Sequence, residues 1–335
     1  TWLCYHHPPR TGCKCLSYLT FPSYTLMFMH HLKRLLVCTL LILPLTSFAQ
    51  RHRSKAAPQP PTEEELRNMA LQQRYDEMLT GTRSITVIDS LVTDKDAFLS
   101  AMRLTRDAGS FSEPRKLFNA DAALPPMGKA AFVNAHSSAV YYTQADTAGA
   151  YRLWAAFRNG PVWSSPSPLE GLGTYAYADF PFVQADGVTL YFAKMDDEGL
   201  GGYDLFITRY DSQTKSYLKA ENLGFPFNSP ANDFFCIIDE TLGIGYLATD
   251  RNQPQGKVCI YRFIPNDIRE TYQATEENMN DVRRAARIAS VAESQKGHSA
   301  QIDAALARIQ KASATDAAGY ARARVRLVIN DDTIY

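Results

Sequence analysis

The chain has 335 residues, of which 35 are Lys or Arg and 35 are Asp or Glu, so its formal net charge is zero. This balance leaves no basic excess to neutralise phosphates, which argues against a nucleic-acid-binding protein. Four of the six cysteines lie before residue 50, so the rest of the chain is not a disulfide scaffold and must be stabilised by apolar burial.

Residues 27–49 have the order of a secretory signal peptide. Two basic residues precede the apolar run 35–45, and small residues follow it up to Ala49. The apolar run is shorter than the roughly 18 residues that a membrane-spanning helix needs. We therefore expect cleavage before Gln50 and export of the mature chain.

The segments on either side of the signal peptide carry little structural information. Residues 1–26 contain three cysteines but no acid and no apolar periodicity, and we interpret them as upstream sequence that is not part of the native protein. Residues 1–49 hold four basic residues and no acid, so the mature chain has 31 Lys and Arg against 35 Asp and Glu. Residues 50–61 contain three prolines and predict a flexible linker.

Residues 62–130 predict an N-terminal helix followed by a divergent β region. Thr62 and Glu65 have the spacing of a capping box, which predicts a helix that begins there and ends near Thr80. The β-branched run 85–92 predicts a strand.

Residues 131–265 repeat one pattern three times, with repeats that start at Phe132, Phe182 and Cys236. In each repeat a short strand leads through a tight turn to an aromatic strand, and a Gly- or Asp-rich loop leads to a third strand. The Asp-Gly turn at 186–187 is a strong hairpin signal.

Four antiparallel strands at a period near 50 residues are typical of a propeller blade. We therefore predict a mainly β fold, a partial or small β-propeller of four-stranded blades with a flanking N-terminal helix and a C-terminal α-helical tail. A β-sandwich is the alternative, and the repeated aromatic positions favour the propeller. Either residues 84–130 hold a further divergent blade, or the strand at 85–92 closes the last blade.

The second and third repeats resemble a known family. Their motifs are DFPF at 179–182, ADG at 185–187, LYF at 190–192, GLGGYDLF at 199–206, NLG at 222–224 and GYLATDR at 245–251. Over residues 178–263 they are similar to the TolB-like (WD-type) β-propeller repeat of Bacteroidetes cell-envelope proteins. The resemblance implies an envelope protein whose partner is OmpA-like or a component of a secretion assembly.

Residues 266–335 predict a helical tail and a terminal strand. Apolar residues from Ile268 to Ala289, with Met279 and Val282 among them, recur at a period of 3.5 residues. This seam either packs on the protein's own propeller or binds a partner as a coiled coil. Apolar residues then alternate from 323 to 329 as in a strand, and since no partner strand is predicted after it, we expect the chain to continue beyond its last residue.

The best candidate site outside the seam is the acidic, glycine-rich loop that contains Asp196, Asp197 and Asp204. Flexible oxygen-rich loops suit Ca²⁺, but the spacing is not that of an EF-hand, and such loops are usually solvated turns. No HExxH or CxxC motif is present in the mature sequence, and no catalytic set is recognisable. We therefore expect no cofactor and no metal.

Cys236 and Cys259 fall on the first and third strands of one repeat. Two strand spacings separate such positions by about 9.5 Å, which exceeds the roughly 7 Å that a disulfide allows between Cα atoms. We therefore expect two buried free thiols.

The sequence favours an exported, non-catalytic propeller module for protein–protein interaction or scaffolding. It would act in the periplasm or at the outer membrane with an envelope protein partner, and peripheral membrane association is compatible with this function. The alternative is a glycan- or peptide-processing envelope enzyme whose site is not recognisable from sequence.

Overall fold

The computed structural model describes residues 60–118, 125–158, 160–266, 268–322, 327–329 and 332–334. The predictions for residues 1–26, for the signal peptide and for most of the linker lie outside the described residues. Strands make up 35% of the structure and helices 23%, which confirms a mainly β protein with flanking helices. The strands curl into a half-barrel.

Among the described residues, the structure has six α-helices, one short 3-10 helix and sixteen β-strands. The helices are α1 (Glu63–Leu79), α2 (Phe98–Ala101), α3 (Pro114–Leu117), α4 (Met279–Ala286), α5 (Val291–Ser294) and α6 (Ser299–Arg322), with a short 3-10 helix at Arg106–Ala108. The strands are β1 (Thr86–Asp94), β2 (Ser110–Ser112), β3 (Met127–Val133), β4 (Ala139–Ala145), β5 (Tyr151–Phe157), β6 (Ser167–Pro168), β7 (Tyr177–Val183), β8 (Thr189–Met195), β9 (Asp204–Asp211), β10 (Ser216–Tyr217), β11 (Glu221–Asn222), β12 (Asp233–Asp239), β13 (Ile244–Thr249), β14 (Lys257–Ile264), β15 (Leu327–Ile329) and β16 (Asp332–Ile334).

The capping box at the start of α1 is formed as predicted. The Thr62 hydroxyl accepts a hydrogen bond of 3.2 Å from the Glu65 amide, and the Glu65 carboxylate accepts one of 2.7 Å from the Thr62 amide. These bonds satisfy two backbone donors that an uncapped helix would leave free. The helix ends at Leu79, close to the predicted end.

Each predicted repeat supplies three consecutive strands of one antiparallel sheet. The first sheet has the order β2-β3-β4-β5-β6, the second β10-β9-β8-β7 with β11 also on β9, and the third β1-β14-β13-β12. In the third sheet, β1 pairs along β14, with Ser90 opposite Tyr261 and Asp94 opposite Lys257. The alternative in which the strand near residue 85 joins the last repeat is thereby confirmed.

The strand register shifts the start of the third repeat by one residue. Equivalent pairs across the first hairpin of each sheet are Phe132 with Tyr141, Phe182 with Tyr191, and Ile237 with Tyr246. The third repeat therefore starts at Ile237 and not at Cys236. Its first strand is apolar on both faces, so the sequence shows no alternation of apolar and polar residues from which the strand register could be predicted.

Alternate residues of the first sheet face two different neighbours. On one face, the ring of Phe132 lies edge-on to that of Phe182 in the second sheet, with 5.0 Å between centroids. On the other face, Tyr142 contacts Phe118, which follows α3, at 4.9 Å. The segment around α3 thus covers the outer face of the first sheet.

Helices also cover the outer face of the third sheet. The ring of Phe98, in α2, stacks on Phe235 at 5.5 Å, and Arg308 of α6 donates a hydrogen bond of 2.7 Å to the carbonyl of Leu242. Sheets stacked without closing a ring leave apolar faces at both ends, which capping elements must bury. These helices have that role here.

The C-terminal region differs from the sequence prediction in two respects. The seam predicted from Ile268 is not one continuous helix, because α4 begins only at Met279. The preceding segment is extended alongside the start of β1, with backbone hydrogen bonds from Ser84 to Glu270 and from Tyr272 to Thr82. Strand β15 is followed by a partner strand, β16, contrary to the expectation that none follows. Among the described residues, no helix is both long and apolar enough to cross a membrane.

Candidate functional site

The acidic loop between β8 and β9 is partly neutralised by a lysine of the protein itself. Lys194 is buried, its ammonium contacts the Asp196 carboxylate, and it lies 3.0 Å from the Glu198 carboxylate and 3.9 Å from the centroid of the Phe206 ring. Burial lowers the pKa of Lys194, but the two carboxylates outweigh burial and raise it overall. Asp197 is exposed on the same loop. A carboxylate that already forms an ion pair with a lysine is a poorer ligand for Ca²⁺.

Asp204 lies beneath this loop and is completely buried. One carboxylate oxygen accepts a hydrogen bond of 2.7 Å from the Leu200 amide, and the other has no hydrogen-bond partner. Burial raises the pKa of Asp204 to about 7, and the nearby charge of Asp233 adds to this effect. Asp204 therefore holds the glycine-rich loop from below, and the structure does not bring it to the surface with Asp196 and Asp197.

In the part of the chain that the structure describes, no three or more His, Cys, Asp or Glu side chains come together in a way that could hold a metal ion.

A buried polar group next to Asp204 is not evident from the sequence. Asp233 accepts hydrogen bonds from Arg251 and, at 2.9 Å, from the Ser229 hydroxyl, and Arg251 also donates to the carbonyls of Pro226 and Phe227. The neighbouring carboxylates of Asp204 and Asp233 are both fully buried, so no substrate reaches them in this conformation. Arg251 lies in the sequence motif at 245–251, whereas Asp233 lies in none of the motifs given above.

A cavity of about 830 Å³ opens above this polar group, between α1 and α4. We call it the α1–α4 groove. It is lined by Asn68, Leu71, Gln72, Tyr75, Asp76, Leu200, Phe225, Ser229, Pro230, Ala231, Arg251, Asn252, Arg283, Ala286 and Arg287. Its floor is apolar, since Leu200, Phe225 and Ala286 are buried there in one hydrophobic cluster.

Two contacts hold α1 over this groove. The Tyr75 ring packs edge-on against Phe225 with 4.9 Å between centroids, and Arg74 donates a hydrogen bond of 2.7 Å to the carbonyl of Gly199. The wall formed by α1 is therefore attached to the glycine-rich loop that Asp204 supports.

The opposite wall of the groove is basic. Arg283 lies on α4, and Arg287, the residue that caps its C-terminal end, follows one helical turn later, which places both side chains on the same side of the helix. Arg287 donates a hydrogen bond of 3.3 Å to the Tyr75 hydroxyl, and Arg283 is exposed. Neither arginine forms an ion pair with any described residue, and Asp76 is the one acid that lines the groove.

The seam residues Met279 and Val282 also lie on α4, but neither lines the α1–α4 groove. Val282 is fully buried and Met279 is half-buried within the protein. The structure therefore agrees with the alternative in which this helix packs on its own domain. It does not bring Met279 and Val282 together with the acidic loop into one exposed site.

Both cysteines of the mature chain are free and buried, as expected. Cys236 lies on β12 and Cys259 on β14, and β13 separates the two strands. Burial raises the pKa of Cys236 to about 12 and also raises that of Cys259. Neither thiol has the low pKa of a nucleophilic cysteine.

Comparison with known proteins finds no matching family model, no matching curated protein and no matching solved structure.

Proposed function

We propose that this protein is an exported, non-catalytic binding module with TolB-like β-propeller repeats, and that it holds an envelope protein partner in the α1–α4 groove. The observation that carries this proposal is the combination of an apolar floor with two arginines, Arg283 and Arg287, that have no acidic partner among the described residues.

The size and lining of the groove suit a segment of another protein. Binding pockets commonly have volumes of about 300–1,000 Å³, with mostly apolar walls and a few polar groups that fix orientation. The groove falls in this range, and above its buried floor of Leu200 and Phe225 the exposed Leu71 and Pro230 offer contacts to an apolar side chain. A peptide segment that inserts one large apolar residue would fill it.

The charge of the groove favours an acidic segment. A carboxylate placed between Arg283 and Arg287 would receive charge-assisted hydrogen bonds from both, each contributing about 1.5–3 kcal/mol. The single acid, Asp76, shares its carboxylate with Gln72 through a hydrogen bond of 3.1 Å. The partner segment we propose therefore combines an apolar anchor with one or more acidic residues.

The propeller part of the proposal rests on the three antiparallel sheets that share one strand register. Each sheet has the size of a propeller blade, and consecutive repeats form consecutive sheets. The TolB-like motifs support the remaining parts of the proposal. These are a location in the periplasm or at the outer membrane, and an OmpA-like protein or a secretion-assembly component as partner.

The experiment compares two charge-reversal variants. The first is Arg283→Glu with Arg287→Glu, and the matched control is Arg106→Glu with Arg115→Glu, two exposed arginines on other elements. Mature wild-type protein is used to capture a partner from host envelope extract, and the purified partner is then titrated against all three proteins by calorimetry.

The groove variant is expected to bind on the order of 10²-fold more weakly or worse, because two charge-assisted hydrogen bonds are lost and repulsion is added. The control is expected to bind within about threefold of wild type. Equal affinity of the two variants would contradict the groove as the binding site.

A further inference from the structure

A second cavity, of about 520 Å³, lies between the second and third sheets. Tyr191 of β8 and Gln184 lie on one side, and Cys236 of β12 and Phe263 of β14 lie on the other. The segment that contains Arg83 completes the wall. None of these residues lines the α1–α4 groove.

Arg83 is the unusual residue of this cavity. Its backbone is fixed by a hydrogen bond of 2.9 Å from its amide to the carbonyl of Phe225, and its guanidinium lies 5.4 Å from the centroid of the Phe227 ring. The Nε atom is buried and has no hydrogen-bond partner. Among the described residues, no side chain or backbone carbonyl accepts a hydrogen bond from this guanidinium, and no carboxylate forms an ion pair with it.

The Arg83 side chain is partly buried and has no counter-ion among the described residues. This arrangement is costly, because the transfer of a charge out of water is compensated only by an opposite charge or by hydrogen bonds. Burial lowers the pKa of Arg83, and the positive charge of Arg269, which also lines the cavity, lowers it further. The contact with the Phe227 ring offsets only a small part of this cost. The guanidinium of Arg83 therefore lacks a paired carboxylate among the described residues, although Glu240 and Glu270 line the same cavity.

We propose that this cavity binds a small monocarboxylate with an apolar body, and that Arg83 receives its carboxylate. Arginine presents a planar fork of N–H donors that matches a carboxylate in a bidentate arrangement. Tyr191 and Asn266 line the same cavity. The hydroxyl of Tyr191 is a further donor, and the side-chain amide of Asn266, which donates one hydrogen bond of 3.0 Å to the Ser84 carbonyl, has a second N–H.

Two features of the lining select a monoanion with an apolar body. Glu240 and Glu270 also line the cavity and oppose a second negative charge, which disfavours a phosphate dianion. The walls formed by Leu223, Phe227 and Phe263 are apolar and accommodate a hydrocarbon or aromatic group. The same chemistry occurs in free carboxylic acids and at the C-terminus of a peptide.

The test uses calorimetric titration of the mature protein with four probes. 3-Phenylpropionate represents a free acid, and N-acetylphenylalanine represents a peptide C-terminus. 3-Phenylpropionamide has the same shape without charge, and inorganic phosphate has charge without the apolar body. At least one of the two acids is expected to show saturable binding, and the stronger of them identifies the source. Binding of neither acid, or equal binding of the amide, would overturn the proposal.

The variant Arg83→Gln is expected to weaken acid binding at least tenfold. The control is Lys95→Gln, which removes another cation from the face of an aromatic ring, 4.8 Å from the Phe234 centroid, but one that already pairs with Asp250. The control is expected to bind the acid as wild type does. The groove variant of Arg283 and Arg287 is also expected to bind it normally, so this site and the proposed function can fail separately.

Thermal unfolding without ligand provides a second readout. Because an unpaired, partly buried cation destabilises the empty protein, Arg83→Gln is expected to unfold at the same temperature as wild type or a higher one. The acid probe is expected to stabilise wild type and the Lys95→Gln control, and to stabilise Arg83→Gln much less. If the counter-ion belonged to the chain itself, for example Asp267, which lies outside the described residues, Arg83→Gln would unfold at a lower temperature. That result would overturn the proposal.

Discussion

Asp233 and Arg251 form an ion pair in the interior of the protein, with 2.5 Å between the guanidinium and the carboxylate and at most 4% exposure of either side chain. Asp233 begins β12 in the third sheet, and Arg251 follows the end of β13. There Arg251 also donates hydrogen bonds to the carbonyls of Pro226 and Phe227. The pair thus attaches the third sheet to the loop beneath the α1–α4 groove.

Removal of one partner of this pair is expected to destabilise the protein strongly. Arg251→Met leaves a buried carboxylate without its cation, which costs about 3–5 kcal/mol, whereas the double variant with Asp233→Leu is expected to recover part of that loss. Urea unfolding of the two single variants and the double variant measures the coupling. The control is Lys257→Met, which breaks an exposed pair with Asp94 and is expected to cost less than about 1 kcal/mol. A loss for Arg251→Met no larger than the control's would contradict this role.

Asp204 is expected to make the protein less stable as the pH rises. Its pKa in the folded protein is raised to about 7 by burial, whereas an ordinary Asp has a pKa of 3.8. The folded state therefore holds the proton more tightly, so the contribution of Asp204 to stability is complete below about pH 4 and is lost as the pH rises through about 7.

The measurement is the free energy of unfolding between pH 4.5 and pH 8 for wild type and Asp204→Asn. As the pH rises, the free energy of unfolding of wild type should fall relative to that of the Asn variant, because Asn cannot lose a proton. A difference that stays constant over this range would show that Asp204 is ionised in the folded protein throughout.

Cys236 and Cys259 are expected to be reduced and unreactive in the folded protein. Both are buried, and burial raises the pKa of Cys236 to about 12, so almost no thiolate is present at neutral pH. A thiol reagent should label neither cysteine of the mature protein under native conditions and both in urea, as read by mass spectrometry. An intramolecular disulfide would contradict the strand order of the third sheet.

Val282→Asp is expected to unfold or severely destabilise the protein. The side chain is fully buried, so the change removes about 1.5–3 kcal/mol of apolar burial and adds a buried charge. The control is Asn280→Asp at an exposed position of the same helix, which is expected to change stability by less than about 0.5 kcal/mol. A Val282→Asp protein with wild-type stability that no longer binds a partner would instead support the coiled-coil interpretation of this helix.

The mature protein isolated from its host is expected to begin at Gln50. The reason is the sequence order of basic, apolar and small residues that ends at Ala49. N-terminal sequencing or peptide mapping provides the measurement. Recovery of peptides from residues 27–49 in the mature protein would contradict export through this signal.

Short-range signals made several elements predictable from the sequence. The capping box of Thr62 and Glu65 marks the start of α1 because both partners lie within one helical turn. The three hairpins were predictable because apolar and aromatic strands are joined by tight turns, and the Asp-Gly pair at 186–187 tolerates the backbone that such a turn needs. The burial of Cys236 and Cys259 on separate strands followed from the same pattern.

Contacts between distant parts of the chain were decided by the tertiary structure. The pairing of β1 with β14 joins residues more than 160 positions apart, and nothing local to β1 chooses between its possible partners. The 3.5-residue seam predicted one long helix, but hydrogen bonds to Thr82 and Ser84 hold its first part extended, since tertiary contacts override a local pattern.

The roles of the candidate site residues could be recognised only from the tertiary structure. Sequence composition marked Asp196 as a candidate ligand, but the neighbouring Lys194 neutralises it once both are folded onto the same loop. Arg83 and Arg283 show no distinguishing motif, and their importance comes from being placed in cavities without an acidic partner among the described residues. Charge in a sequence is a property of each residue, whereas charge compensation depends on which residues the fold brings within a few ångströms.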